Sequence, residues 1–392
     1  MKIKLTFLIV YTSKLLIEHI SPAMDKILQA GLAAGMSATA GIHHDTKPER
    51  PDPQFDGKNL MPQSFCPDAK SRVSIPTKSG VPIKASYLCV GGWSWGDTGT
   101  WHWKPEELPR VKDAWRDLYS AGINFIDTAE AYGNGRSEEI TGELVQGLPR
   151  DSFVIQSKWF GLPVAPNNII RSAEAPVEAV KGTLKRTKLE YIDILLVHGP
   201  IHPQSIATAA EGLARVVDQG LARTVGVANY SLDDFMTMRK ELAKHGIPLS
   251  INQCEYSILR RIPEIDGDMH AYQEMDVIFQ SYSSLAQGRL SGKYTPEHPP
   301  PSTHRFSNYD MAEIAPTLDV LRDIAAKRGK SMAAVALNYN ISKGALPLVG
   351  IRCREHAHDA LESLGWRLDP EEVKRLDEHS VLGKRTKLWQ HG

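Results

Sequence analysis

Several features that would narrow the function of this chain are missing or scarce. Only four cysteines occur in 392 residues, and they are widely spaced and form no CxxC pair. The sequence therefore suggests neither a disulfide framework nor a thiolate zinc site. The 46 basic residues balance the 46 acidic ones, so no net charge attracts nucleic acid or an anionic membrane. We expect no nucleic-acid or membrane partner and a reducing, cytoplasmic location.

No apolar stretch reaches the length of about 20 residues that a membrane-spanning helix needs. The apolar run LTFLIVY near the N-terminus loosely resembles a secretory signal, but Lys14, Glu18 and His19 soon interrupt it. A disordered or irregular extension is the favoured interpretation, and a signal peptide is the alternative.

The first part of the chain differs in composition from the rest. Between residues 41 and 76 it is rich in Pro, Asp, Lys and His and lacks apolar periodicity, which predicts an irregular lead-in. We assign residues 1–72 to an N-terminal extension and residues 73–392 to one catalytic domain. Removal of residues 1–71 should then leave activity nearly unchanged.

Two common catalytic motifs are also absent. The GxGxxG turn of dinucleotide-binding doubly wound folds does not occur, and GGWSWG (91–96) and GNGRSE (133–138) have the wrong spacing. No HxH or HExxH stands at the end of a predicted strand, which disfavours metal-dependent hydrolysis. We therefore predict no metal site.

What the sequence does contain is a regular alternation of short β-branched or aromatic runs with amphipathic helical patterns. Eight runs predict strands: SYLCV (86–90), NFIDTAE (124–130), FVIQSKW (153–159), IDILLVH (192–198), RTVGVAN (223–229), LSINQCE (249–255), DVIFQSY (276–282) and LPLVGI (346–351). Residues 173–187, 205–219 and 370–378 are among the predicted helices. The pattern predicts an α/β protein whose catalytic domain is a (β/α)8 TIM barrel.

Four polar residues follow neighbouring strands of this barrel, where active sites of the fold lie. They are Asp127, Tyr132, Lys158 and His198. Singly, they could be a helix cap, a packed aromatic ring, a solvated strand end and a buried histidine. Jointly, they predict a proton-transfer site.

The chemistry of such a site follows from the residue types. A nearby ammonium favours phenolate, so Lys158 should lower the pKa of Tyr132 toward neutrality, while Asp127 keeps Lys158 charged. His198 would orient a carbonyl oxygen, and Tyr132 would donate the proton as hydride arrives at carbon.

The segment GINFIDTAEAYGNGRSEEITGELV (122–145) resembles the second-strand signature of the aldo-keto reductases. Further similar segments follow in the family's order: QSKW (156–159), LLVHGP (195–200), VGVANYS (225–231), INQCEYS (251–257), SYSSLAQGRLSGKY (281–294) and PLVGIRCREHAHDA (347–360). The resemblance covers residues 81–366. It implies a barrel that binds NADP(H) at its mouth, with Tyr132, Asp127, Lys158 and His198 as the catalytic tetrad.

The resemblance also implies a set of cofactor-binding positions. Asn229 and Gln253 match the pair that binds the nicotinamide carboxamide, and Tyr282 matches the ring that stacks on the nicotinamide. The remaining positions match contacts to the pyrophosphate, the first-strand end, the 2′-phosphate and the adenine: Ser283, Leu285, Gln287, Gly92, Trp93, Ile351, Arg352, His356 and Asp359.

At several of these positions the chain departs from the family pattern. Ala228 replaces the usual Ser before Asn229, Ser284 replaces a Pro, and Ala360 replaces an Asn. His356 replaces the common Arg and binds phosphate more weakly, although partial protonation and a bidentate contact from Arg352 could compensate. NADPH is therefore the expected cofactor and NAD(H) the alternative.

The substrate site should have large apolar walls, because tryptophans cluster after the first barrel strand and after Lys158. We assign Trp93, Trp159, Phe160 and His198 to substrate binding, and expect Trp101 and Trp103 to pack at loop edges. An aromatic or alicyclic carbonyl fits, including a secondary-metabolite intermediate or another small organic carbonyl. The alternative function is a cofactor-binding regulatory subunit, like the β subunits of potassium channels that the family includes. The oligomeric state stays open.

Overall fold

The computed structural model describes residues 49–51, 60–162, 166–386 and 389–392. The strands are β1 (Arg72–Ile75), β2 (Ile83–Ser86), β3 (Cys89–Gly91), β4 (Phe125–Asp127), β5 (Val154–Trp159), β6 (Ile192–Val197), β7 (Ala222–Ala228), β8 (Ile251–Glu255), β9 (Ile278–Tyr282) and β10 (Leu346–Gly350). The α-helices are α1 (Leu108–Ala121), α2 (Arg136–Val145), α3 (Pro166–Ile169), α4 (Ala175–Thr187), α5 (Ile206–Asp218), α6 (Leu232–Ala243), α7 (Ile262–Ile265), α8 (Asp268–Glu274), α9 (Ala315–Arg328), α10 (Met332–Ser342), α11 (Arg354–Glu362) and α12 (Pro370–Glu378). None of the helices in these ranges is long and apolar enough to cross a membrane, and the signal-like run near the N-terminus lies outside them.

Strands β3 to β10 close into a parallel barrel in which β10 pairs with both β9 and β3. Each barrel strand overlaps one of the eight predicted runs, so the predicted (β/α)8 barrel is confirmed. The carboxyl ends of all eight strands open on the same face. Asp127, Lys158 and His198 are therefore brought to one mouth although 71 positions of sequence separate the first from the last.

Side chains of the barrel strands alternate between the barrel interior and the surrounding helices, as the pleat of a strand requires. In β5, Gln156 and Lys158 point into the barrel, whereas Ser157 and Trp159 contact the outer layer. The lower interior is apolar and includes Phe125, Val154, Ile194, Leu196 and Ile251. The polar groups thus lie above an apolar floor.

An antiparallel hairpin that the strand pattern did not predict is formed by β1 and β2. It caps the amino ends of the barrel strands: Ile75, Ile83 and Ala85 are fully buried in the same cluster as Phe125 and Val154. The predicted run SYLCV is divided between β2 and β3, because Ser86 hydrogen-bonds Asn124 and the Leu88 carbonyl and turns the chain. The hairpin therefore closes the floor of the barrel.

Residues 60–71 contain no helix or strand, but they pack against the barrel. The Met61 amide donates to the Ser342 carbonyl at 2.9 Å, and the Gly365 amide donates to the Pro67 carbonyl at 3.0 Å. Leu60, Phe65 and Ala69 cover part of the outer core. This part of the assigned extension therefore contributes to the folded domain.

These contacts change the expectation for truncation. A variant that lacks residues 1–71 should be less stable than one that lacks residues 1–48, by about 2 kcal/mol or more, because it loses the apolar burial of residues 60–71 and the hydrogen bonds of residues 49–71 to the barrel, including those of Glu49 and Arg50. Urea unfolding of both variants measures the difference. Equal unfolding midpoints for the two variants would show that residues 49–71 contribute no measurable stability.

A buried ion-pair cluster joins α7 to the end of α10 and to α12. Lys343 donates to Glu264 and to Asp377, both at 2.7 Å, and Arg261 donates to Glu264 at 2.8 Å. All four side chains are almost wholly buried. The cluster fastens the last helix to the body of the barrel.

Candidate active site

The four residues predicted to form a proton-transfer site meet at the barrel mouth. Lys158 Nζ donates hydrogen bonds to Asp127 Oδ2 at 2.5 Å, to Tyr132 Oη at 3.0 Å and to the Thr128 carbonyl at 3.0 Å. The His198 ring lies edge-on to the Tyr132 ring, with centroids 5.4 Å apart. The phenol therefore lies between an ammonium and an imidazole.

The turn after β4 places Tyr132. Residues 133 to 135 all have positive φ, and a Cβ on Gly133 would come within 2.7 Å of the Gly96 backbone. Glycine tolerates this conformation and this close approach. The turn thereby brings Tyr132 back over the barrel opening, where it contacts Lys158.

The charge state of the Tyr132 phenol differs from the sequence-based prediction. Burial raises the pKa of Tyr132 above its ordinary value, and the Lys158 charge offsets only part of that rise. The expectation of a net lowering was wrong, because desolvation of the phenolate outweighs a single neighbouring ammonium. Tyr132 is therefore a protonated phenol at neutral pH.

Lys158 is held in its charged form and His198 in its neutral form. Burial disfavours the ammonium, but Asp127 and Tyr132 outweigh it and raise the pKa of Lys158. Burial and the Lys158 charge hold the pKa of His198 well below its usual value. The site therefore presents a permanent cation beside Tyr132 and a neutral imidazole.

A layer of glutamines supports Asp127 from inside the barrel. Gln156 Nε2 and Gln253 Nε2 donate to Asp127 Oδ1 at 2.6 and 3.0 Å, and both donate to Gln280 Oε1. Each oxygen of Asp127 thus has a donor, which fixes the carboxylate that holds Lys158. Sequence reasoning missed Gln156 and Gln280, although each lies two residues before a site residue, on the same face of its strand.

Aromatic side chains surround the opening. Trp93 lies 6.2 Å from Tyr132, between centroids, and also contacts Trp101 and Phe306. Phe160 lies 5.3 Å from His198. These contacts provide the aromatic walls that the sequence predicts, Trp101 packs edge-on against Trp93, and Trp103 is buried in the same loop.

Of the tryptophans near the site, one lies elsewhere than predicted and another was not predicted. Trp159 points away from the barrel interior, is fully buried and donates to Asn168 at 3.2 Å, so it supports the wall from behind. Trp389, which the sequence analysis did not identify, lies 5.5 Å from His198 and 5.9 Å from Phe160. Trp389 stands in a polar C-terminal tail without a strand or helix pattern, so nothing in the sequence indicated that it lies at the site.

The residues expected at the nicotinamide lie beside the tetrad. Tyr282 Oη donates to Asn229 Oδ1 at 2.9 Å, and Asn229 Nδ2 donates to the His198 carbonyl at 3.4 Å. Gly92 lies against Asp127, where a Cβ would come 2.7 Å from Ser137 Oγ. The side-chain amide nitrogen of Gln253 is directed at Asp127. The predicted contact of Gln253 with the nicotinamide carboxamide therefore requires the amide oxygen of its side chain.

The residues expected at the phosphates surround the turn after β9. Ser283 and Gln287 have positive φ, and Leu285 lies between them in the turn. The Phe306 backbone amide donates to Gln287 Oε1 at 2.8 Å. The buried Gln287 Nε2 has no partner among the described residues. The Lys293 ammonium lies against Gly288, where a Cβ would be 3.0 Å from Nζ.

The residues expected at the adenosine end follow β10. The Ile351 carbonyl accepts from Trp95 Nε1 at 2.7 Å, and the Arg352 amide donates to His356 Nδ1 at 3.3 Å. Burial, Lys293 and Arg352 lower the pKa of His356. The His356 imidazole is therefore less readily protonated than an ordinary histidine, which weakens the expected contribution of its charge. Asp359 lies on α11.

The model of the Aldo/keto reductase family matches residues 87–381. The chain belongs to the aldo/keto reductase family. The chloroplastic pyridoxal reductase of Arabidopsis thaliana is 30% identical over 310 residues, which cover 76% of this chain and 83% of that protein.

Solved aldo/keto reductase structures share the barrel. The glycerol dehydrogenase of Gluconobacter oxydans is 26% identical with a TM-score of 0.65, and covers 79% of this chain and 95% of its own. An aldo-keto reductase of Klebsiella pneumoniae in complex with NADPH has a TM-score of 0.61 at 22% identity. The match covers 81% of this chain and 98% of that chain. This chain is thus an oxidoreductase of a family whose general activity is carbonyl reduction.

The aldo/keto reductase site contains one pairing that the resemblance did not imply. Arg352, expected at the 2′-phosphate, is bound to Glu107 near the start of α1. The two residues are 245 positions apart, and no local pattern connects them.

Proposed function

We propose that the protein reduces an aldehyde or ketone to the alcohol by reversible hydride transfer, with NADPH as the preferred cofactor. The observation that carries the proposal is the hydrogen-bonded chain from Asp127 through Lys158 to Tyr132, beside a neutral His198 at the barrel mouth. A protonated phenol next to a fixed cation is suited to donate a proton to an oxygen that develops negative charge.

Each tetrad residue has a separate task in this reaction. Tyr132 donates its proton to the carbonyl oxygen, and the Lys158 ammonium stabilises the phenolate that remains. Asp127 holds Lys158 in position, and His198 orients the carbonyl through a hydrogen bond from its neutral ring. A bound reduced nicotinamide supplies the hydride.

The residues around the β9 turn fit a dinucleotide. Ser283 and Gln287 lie in a turn with positive φ, and the buried amide nitrogen of Gln287 has no partner among the described residues. The Lys293 ammonium lies at the same turn, and no ion-pair partner of Lys293 is found in the described part of the chain. Such a donor set suits a pyrophosphate. Asn229 and Tyr282 would hold the nicotinamide near Tyr132.

The walls favour a planar or ring-shaped carbonyl. Trp93, Phe160 and Trp389 present aromatic faces and edges around His198 and Tyr132. Aromatic walls gain most from substrates that bury a ring against them. We therefore propose aromatic or alicyclic aldehydes and ketones as the substrate class.

The test is turnover of a carbonyl panel by the purified protein. Aromatic aldehydes, pyridoxal, alicyclic ketones and open-chain sugars are supplied with NADPH or NADH, and consumption of the reduced cofactor is followed by absorbance. We expect carbonyl-dependent consumption of NADPH, fastest with ring-containing substrates. Tight NADPH binding without turnover of any carbonyl, together with a co-purifying protein, would instead favour the regulatory-subunit alternative.

A further inference from the structure

The Arg352 guanidinium is engaged by a carboxylate of its own chain. Its Nε donates to Glu107 Oε2 at 2.8 Å and its Nη2 donates to Glu107 Oε1 at 2.5 Å. The Nη1 group donates to the Trp101 carbonyl at 2.9 Å. The two side chains are 24% and 19% exposed. This two-pronged geometry is the same one that an arginine uses to bind phosphate.

The same region gathers other basic groups. Arg352 is close enough to Lys293 and His356 to lower the pKa of each, in addition to the effect of burial. Asp359 and Glu355 face His356, but within the described residues Glu107 is the carboxylate hydrogen-bonded to Arg352. An anion that approaches these groups therefore meets Glu107 as a competitor.

We propose that Glu107 limits the preference for NADPH over NADH, because its carboxylate competes with the 2′-phosphate for Arg352. The inference rests on the proposed function and on the predicted contact between Arg352 and that phosphate. NADH has no 2′-phosphate and leaves the Arg352–Glu107 pair intact. NADPH must displace the Glu107 carboxylate or share the guanidinium with it, so its affinity is reduced and that of NADH is not.

A substitution can remove the competing charge and keep the local structure. The Lys104 amide donates to Glu107 Oε1 at 3.1 Å in a capping box at the start of a helical turn. The amide oxygen of glutamine still accepts this hydrogen bond and one from Arg352. Glu107→Gln therefore changes the charge with little effect on the fold.

Glu106 provides a matched control. It directly precedes Glu107 in the sequence and is exposed. Within the described ranges Glu106 forms no side-chain hydrogen bond or ion pair. Glu106→Gln makes the same change in net charge next to the same helix. Any effect specific to Glu107→Gln then reports its contact with Arg352.

The experiment measures NADPH and NADH affinities by fluorescence titration of the wild type, Glu107→Gln, Glu106→Gln, Arg352→Ala and the Glu107→Gln/Arg352→Ala double variant. We expect Glu107→Gln to tighten NADPH binding about 10-fold and to change NADH affinity by less than about twofold. Glu106→Gln should change neither affinity by more than about twofold. In the Arg352→Ala background, Glu107→Gln should lose most of its effect on NADPH.

Three outcomes would overturn the inference alone: unchanged NADPH affinity in Glu107→Gln, equal tightening of both cofactors, or the same gain in the Arg352→Ala background. The last would indicate simple repulsion between Glu107 and the phosphate. A wild type that binds neither cofactor would overturn the proposed function and this inference with it. Melting curves of the two glutamine variants verify that both are folded.

Discussion

Replacing Tyr132 by Phe should lower kcat for carbonyl reduction about 10²–10⁴-fold, while the affinity for NADPH stays near that of the wild type. The substitution removes one oxygen and little volume, so the loss reports missing proton donation rather than altered packing. Because burial raises the pKa of Tyr132, the wild-type reduction rate should also be flat around neutral pH. It should decline only as the pH rises through that elevated pKa. Single-turnover kinetics across a pH series measure both effects.

Two further variants separate the roles around the phenol. Lys158→Met should cost a similar factor in kcat, since the phenolate loses its neighbouring cation. His198→Ala should reduce kcat/KM for the carbonyl more than cofactor affinity. The assignment is wrong if Tyr132→Phe keeps more than about a tenth of wild-type kcat when chemistry is rate-limiting, because slow cofactor release could otherwise hide the loss.

Replacing Lys343 by Met should lower the free energy of unfolding by about 3–5 kcal/mol. In the buried ion-pair cluster, Lys343 donates to both Glu264 and Asp377. Without Lys343, Arg261 is the cation that this cluster retains, and it faces the two buried carboxylates of Glu264 and Asp377. Breaking a buried pair from one side is costly because the remaining charge cannot regain its hydration. Urea unfolding gives the loss directly.

Lys327→Met is the matched control. Lys327 lies near the end of α9, is 65% exposed and pairs with Glu372 at 3.5 Å, so its loss should cost less than about 1 kcal/mol. Adding Asp377→Asn to Lys343→Met should recover part of the stability, because one of the two carboxylates becomes neutral. Equal losses in Lys343→Met and Lys327→Met would show that the cluster contributes no more than a surface pair.

The sequence predicted the barrel and the tetrad because both depend on local signals. Each barrel strand is a short apolar run that is followed by loop residues. Asp127, Lys158 and His198 lie where such runs end. Since parallel strands of a barrel end on one face, the topology alone brings these residues together. The structure confirms the barrel and places Tyr132 in hydrogen-bond contact with Lys158.

What the sequence could not predict depends on distant contacts and on solvation. Lys343 precedes a glycine after a helical pattern, where a lysine is usually solvated, yet it is buried between two carboxylates that lie 79 and 34 positions away. The balance that raises the pKa of Tyr132 depends on how much solvent the fold removes. Likewise, the engagement of Arg352 by Glu107 follows from the tertiary packing. The outward direction of Trp159, in contrast, follows from the alternation of side chains along β5 once Lys158 points inward, so it was predictable from the sequence.

The hairpin of β1 and β2 has a consequence for proton traffic. It seals the barrel beneath the tetrad with apolar side chains, so the open mouth is the side from which bulk water reaches Tyr132. In the proposed reduction the Tyr132 phenol gives up its proton, and the phenolate that remains must recover one before the next cycle. In that reaction, an alcohol product held against Trp93 and Phe160 would stand between the phenolate and the solvent. Reprotonation of Tyr132 would thereby depend on product departure, and a solvent isotope effect on turnover would report on release as well as on chemistry.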